Sequence, residues 1–252
     1  GGLCFFQGGP IRQAIQTNNY QSIAKTPLFI TIDAEWGVGM RLDSVDMFPR
    51  QLLIGAMPSS TLVNQMGVAI AAQCKRLGIQ VNYAPDIDIN NNPGNPVIND
   101  RSFGEDKNKV LEYGIAYMKG MQDNGVMATA KHFPGHGDVT VDSHKDIPVI
   151  NKSRAALDSL ELVPFKALIQ AGIQSVREKA VRKIASLEKR IKKKEIDNRV
   201  LKILHAKYQY GLHQFQPIDT TNLISDLNRS VSSIKQLMSN QALTFAYPTK
   251  SF

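Results

Sequence analysis

Val126-Met127-Ala128-Thr129-Ala130-Lys131-His132-Phe133-Pro134-Gly135-His136-Gly137-Asp138 is an apolar β-rich run that closes on polar residues and then on glycines. Similar runs occur at Leu3 to Phe6, Pro27 to Ile32, Val81 to Pro85 and Ile173 to Val176. Between them lie stretches of helical period, Ser60 to Leu77 and Asp106 to Asn124, with apolar residues recurring at three and four. Strand alternating with helix at this rhythm predicts parallel β/α units. Most of the runs are apolar throughout, as strands covered on both faces should be.

Polar residues gather where the strands end: Asp33 and Glu35 after the second, Asp86 and Asp88 after the third, Lys131 and His132 after the fourth. A β/α barrel collects its active site there, but so does an open doubly wound sheet, and periodicity does not choose between them. Five strands are visible where a closed barrel needs eight. The strand ending at Val176 passes into a basic helical pattern, Glu178 to Tyr210, without Gly, Pro or other turn chemistry. A missing segment with a physical break between Val176 and Arg177 is therefore expected, and a first strand lost before Gly1.

The 252 residues are 42% hydrophobic and 21% charged, which excludes disordered and collagen-like chains. No apolar run approaches the roughly 18 residues of a membrane span. The net charge of +8 is local, because Arg177 to Lys207 holds twelve Lys and Arg against four acids. These lysines read as the solvated face of a helix whose apolar stripe is buried, with an anion-binding surface as the alternative. Aromatic residues are not interleaved with the charges, so no nucleic-acid partner is expected. The two cysteines, Cys4 and Cys74, sit in apolar patterns and are expected to be buried free thiols.

Asp142 and His144 stand two apart on an expected loop. That spacing lets the carboxylate orient the imidazole, and a histidine titrating near neutrality can donate a proton and take it back. Lys131 and His132 offer donors at a strand end, suited to holding a polar ligand in a fixed pose. The alternative is a buried ion pair closing the strand ends. Asp33 accepts while Arg41 and Arg101 donate, with a purely structural salt-bridge network as the alternative. His132, His136 and His144 lack zinc-type Cys/His spacing, so no metal is expected. Gly8-Gly9-Pro10 and Pro134-Gly135-His136-Gly137 lack phosphate-loop spacing and read as loop glycines.

Lys131 to Asp138, followed by Asp142-Ser143-His144, resembles the catalytic domain of glycoside hydrolase family 3, specifically its bacterial β-N-acetylglucosaminidases. Asp33 to Arg41, Ala84 to Asp88 and Arg101 to Asp106 resemble further segments of that family in the same order. The resemblance implies a (β/α)8 TIM-type barrel, incomplete here, lacking the first strand and the seventh and eighth strand region. It implies hydrolysis of terminal β-linked GlcNAc from glycans or peptidoglycan fragments with retention. His144 would be the acid/base oriented by Asp142, Asp33, Arg41, Arg101, Lys131 and His132 would bind the sugar, and no cofactor is implied. Residues 1–213 would form the barrel and 214–252 the exit toward a following domain, in a monomer or a larger multidomain chain.

Family 3 enzymes attack with an aspartate after an apolar pair and Ser or Thr on the seventh strand, and no such strand is visible. Ile224-Ser225-Asp226 mimics the pattern but continues into a polar helix, so Asp226 is rejected. The alternatives are a family 3 β-glucosidase or β-xylosidase, against which Asp142-Ser143-His144 argues, and an inactive sugar-binding homologue. The start at Gly1 carries no export signal; a bacterial exported setting, with its signal upstream, is favoured over a cytoplasmic one.

Overall fold

The structure is a computed structural model that describes residues 1–139, 152–178 and 193–246. Strands β1 (Gly2–Phe5), β2 (Phe29–Ile32), β3 (Val81–Asn82), β4 (Met127–Phe133) and β5 (Ser175–Glu178) form one parallel sheet in the order β1-β2-β3-β4-β5. Sequential order is that of a barrel wall, whereas a doubly wound sheet reverses direction at a switch point. The described residues thus hold five strands of a TIM-type barrel, and the choice that periodicity left open is made by strand order.

Helices α1 (Pro10–Ile23), α2 (Gln51–Gly55), α3 (Thr61–Arg76), α4 (Lys107–Gln122), α5 (Arg154–Ser159) and α6 (Leu162–Gln170) fill the connections. Pro10 stands at the start of α1, where its missing N–H costs nothing. The Asp106 side chain caps α4 by accepting from the Asn108 N–H at 2.9 Å. The two long helices touch through glycines: a Cβ on Gly67 would lie 2.6 Å from the Tyr117 carbonyl oxygen, and one on Gly120 would lie 2.3 Å from that of Asn64. This close approach seats the buried α3 stripe Leu62, Val63, Met66, Ile70 and Cys74 against the sheet and α4. Burying each larger side chain of that stripe stabilises the fold by about 1.5–3 kcal/mol.

Past β5 come α7 (Lys193–Gln209), α8 (Leu223–Asn228) and α9 (Val231–Ala246). Leu223, Leu227, Val231 and Met238 join the core. Arg76 of α3 donates to the Asp226 carboxylate at 2.9 Å and to the carbonyls of Asp219 and Thr221.

Four expectations are corrected. Val176 and Arg177 are successive residues of β5, paired with Ala130 and Lys131, so no break separates them, and Glu178 is strand rather than helix. The Ser-Val-Arg-Glu run satisfies its backbone by pairing with β4, which removes the need for a turn. Val200, Ile203 and Leu204 of α7 are 46–49% exposed instead of buried, because no further strand covers that face among the described residues. Lys207, expected in solvent, is buried and donates to the carbonyls of Gly1 and Pro27. Finally, both cysteines are free, but Cys4 is exposed on edge strand β1, while burial pushes the Cys74 thiol up to about 12.

Candidate active site

The site lies beyond the carboxyl ends of β2, β3 and β4. Asp33 and Glu35 follow β2 in a segment held from behind: Asn82 and Ala34 exchange hydrogen bonds of 2.9 and 3.1 Å, and the Tyr117 hydroxyl donates to the carbonyls of Ala34 and Glu35. Asp86 and Asp88 follow β3, where the Gln51 side chain donates to the Asp86 carbonyl at 2.7 Å. The β4–β5 register slips between Lys131 and Phe133, leaving His132 as the extra residue. Such a bulge re-aims a side chain and explains how consecutive residues serve one site.

Lys131 is fully buried, and its Nζ donates to Asp33 Oδ1 and, at 2.6 Å, to Glu35 Oε1. Arg101, from a 3-10 turn at Asn99–Arg101, forks onto Glu35 with contacts of 2.6 and 3.0 Å. Arg41 donates to the Asp33 carbonyl and to its Oδ2, each at 2.9 Å, with its guanidinium over the Phe6 ring. Asp88 accepts from His132 Nδ1 at 2.6 Å and from the His136 N–H at 2.7 Å. Sequence reasoning proposed Asp33, Arg41, Arg101, Lys131 and His132, and the structure brings all five together. Asp142 and His144 lie outside the described residues. Asp138 and Lys152, which bracket residues 140–151, are joined by a 2.6 Å ion pair.

The electrostatics divide the carboxylates. Burial alone would raise Glu35, but the Lys131 charge and the Arg101 hydrogen bond outweigh it and hold Glu35 well below the usual range. Burial would likewise raise Asp88, yet the His132 contact wins and keeps it ionised. Asp86 goes the other way, raised by burial and then by repulsion from Asp88. His132 falls to about 4, mainly through burial. It is therefore neutral near pH 7, with its Nδ1–H donating a hydrogen bond to Asp88 and its Nε2 facing the Arg101 guanidinium at 3.4 Å as an acceptor. The expectation that His132 is a donor to sugar is thereby altered.

Glu35 was not among the sugar ligands expected from the sequence, although its signal was present: it stands two residues past another strand-end acid, Asp33. Arg177 also enters, its guanidinium 3.9 Å from Asp33 Oδ2 and over the Tyr83 ring. The glycines of 134–137 behave as loop residues: Gly135 has φ +130°, and a Cβ on Gly137 would lie 1.7 Å from the Ile89 carbonyl oxygen. Asp86, Asp88 and His132 are near enough to share an ion, their ligand atoms lying within 4.8 Å of one another. His132 already engages Asp88, however, and the Arg101 guanidinium stands 3.5 Å from Asp86 Oδ2 where a cation would sit. Asp226 is engaged by Arg76 and Arg229 in the outer helices.

The sequence profile described as Glycosyl hydrolase family 3 N terminal domain matches residues 6–205. The chain belongs to glycosyl hydrolase family 3. It is similar to the β-hexosaminidase A of Pseudoalteromonas piscicida, 39% identical over 166 residues that make up 64% of this chain and 28% of that protein. It is 32% identical to the β-hexosaminidase of Thiobacillus denitrificans over 186 residues, 70% of this chain and 52% of that one. The solved family 3 β-N-acetylglucosaminidase of Paenibacillus sp. str. FPU-7 superposes with a TM-score of 0.64 at 29% identity, covering 97% of this chain and 55% of that chain. The family 3 chain thus spans between about a quarter and about half the length of these relatives.

Proposed function

We propose that this chain holds the nonreducing GlcNAc of a β-linked glycan or peptidoglycan fragment, as the sugar-binding part of a retaining β-N-acetylglucosaminidase. The observation that carries the reading is the buried lattice of Lys131, Glu35, Arg101 and Asp33 at the strand ends. Interring that many charges is a poor way to gain stability, since desolvation offsets most of the attraction. Such clusters of perturbed groups belong to binding and catalytic sites. Asp33 accepts from sugar hydroxyls, Arg41, Arg101 and Lys131 donate, and His132 Nε2 accepts, while the fully buried Glu35 holds Arg101 and Lys131 in place. Each donor is already oriented by a carboxylate, so the sugar meets a preset array.

In this reading His144, oriented by Asp142, protonates the departing oxygen while a carboxylate nucleophile, which none of the described strand ends supplies, bonds to the anomeric carbon; His144 then takes a proton from the water that displaces that carboxylate. The relatives' names and the Asp138–Lys152 clasp at the root of that segment support it. Residues 214–252 are the exit from the barrel, tied to the site through Gln73, which donates to the Leu227 carbonyl and accepts from the Val38 N–H. A second reading, a sugar-binding homologue without turnover, is favoured by one observation: among the described residues every carboxylate at the strand ends sits against a cationic or imidazole partner.

Release of 4-nitrophenol from its β-GlcNAc glycoside, measured beside calorimetric GlcNAc binding, tests both. Turnover that falls about a hundredfold or more in His144→Ala supports the enzyme, since general acid/base catalysis is worth that much. Binding without turnover transfers the conclusion to the sugar-binding reading, and absence of binding refutes both.

A further inference from the structure

Arg177 is paired in register with Lys131, and partners in adjacent strands share a face, so its side chain enters the same end of the sheet as the site. Its guanidinium lies 5.3 Å above the Tyr83 ring and 3.9 Å from Asp33 Oδ2, and its side chain is 42% exposed. Arg41 approaches the same oxygen at 2.9 Å, its guanidinium 5.1 Å from the Phe6 ring and its side chain 24% exposed. Asp33 therefore meets two arginines on Oδ2 and Lys131 on Oδ1: three cations around one carboxylate. Among the described residues the Arg177 guanidinium makes no hydrogen bond, its contact with Asp33 being an ion pair at 3.9 Å. Two guanidinium groups, each seated on an aromatic ring and converging on one point with surplus positive charge, present the forked donors that tetrahedral oxyanions accept.

We propose that Arg177, together with Arg41, forms an oxyanion subsite beside the sugar site, taking a phosphate group carried by the sugar or supplied as free phosphate. The inference extends the sugar-binding reading for the first source and is independent of it for the second. A charge-assisted hydrogen bond to phosphate contributes about 1.5–3 kcal/mol. One such contact makes GlcNAc 6-phosphate bind about tenfold or more tightly than GlcNAc. Exposure at the subsite makes that preference shrink as ionic strength rises.

The test is calorimetric titration of the whole chain with GlcNAc, GlcNAc 6-phosphate and inorganic phosphate, at two salt concentrations. The same titrations are made on Arg177→Gln and on Tyr83→Leu, which keeps the charge but removes its platform. The readout is the affinity ratio of the phosphorylated to the plain sugar. Arg177→Gln should bring it to about one, and Tyr83→Leu part of the way. A group that merely propped Asp33 would weaken both sugars and leave the ratio intact, which would overturn the inference. Binding of inorganic phosphate alone, lost in Arg177→Gln, would name free phosphate as the source; binding of GlcNAc 6-phosphate without it would name the sugar-borne group. Phosphate binding without GlcNAc binding would keep the subsite and reject the sugar reading. Equal binding of both sugars with no phosphate binding overturns the proposal.

Discussion

Replacing Glu35 by Gln separates a buried, organised ion lattice from ordinary surface pairing. Glu35 is fully buried and accepts from Arg101 twice and from Lys131 once, at 2.6 to 3.0 Å. Gln keeps the shape but removes the charge, and its amide NH2 must then face a cation. Breaking one partner out of a buried pair costs about 3–5 kcal/mol, because the remaining charges stay interred. The internal control is Asp100, whose 2.9 Å contact to Arg50 is of similar length, but with both side chains about half exposed. Asp100→Asn should cost less than about 1 kcal/mol. For a chain of this size the Glu35 loss corresponds to a Tm lower by roughly 6–20 °C. Urea unfolding of the three proteins, followed by far-UV circular dichroism, measures the difference directly. A Glu35→Gln loss no larger than that of Asp100→Asn would refute the reasoning, since burial would then carry no penalty at this site.

Three further outcomes are expected. Folding lowers His132 from 6.5 to about 4, so the unfolded chain binds the proton first; stability is then full above pH 6.5 and falls by about 3 kcal/mol toward pH 4. The raised Asp86 opposes this trend, so the contribution is isolated as the difference from His132→Gln, which should lose about 3 kcal/mol less stability than the parent between pH 6.5 and pH 4. Gly137→Ala places a Cβ against the Ile89 carbonyl and should disrupt the loop after β4, lowering Tm and weakening GlcNAc binding, as thermal melts and calorimetry would show. Asp88→Asn removes the anion that holds the His132 proton on Nδ1, and should weaken sugar binding several-fold while shifting the His132 ring signals in NMR.

Much of the site was legible because the chemistry of a β/α unit is concentrated where its strand stops. Asp33, Lys131 and His132 each follow an apolar run, and the structure puts them together for that reason alone. Strand count was legible as well, but strand order was not, since periodicity reports an element's faces and not its neighbours. The same limit misplaced α7: the spacing of Val200, Ile203 and Leu204 says that they share a face, while burial requires something opposite. Beside them lies an approximately 650 Å³ hollow lined by Cys4, Thr31, Val81, Tyr83, Met127 and Ile203, which no further strand covers among the described residues. Arg177 was hidden by its surroundings, because a single arginine within a run of basic residues looks like a solvated charge. Only its register with Lys131 reveals which way it points.

The most direct measurement is a crystal structure of the chain grown with saturating GlcNAc. The account requires sugar hydroxyls within hydrogen-bonding distance of Asp33 and Lys131, with Arg101 or His132 completing the contacts. A sugar bound elsewhere, in the hollow beneath α7 for example, or a strand-end lattice left empty at saturation, would contradict it.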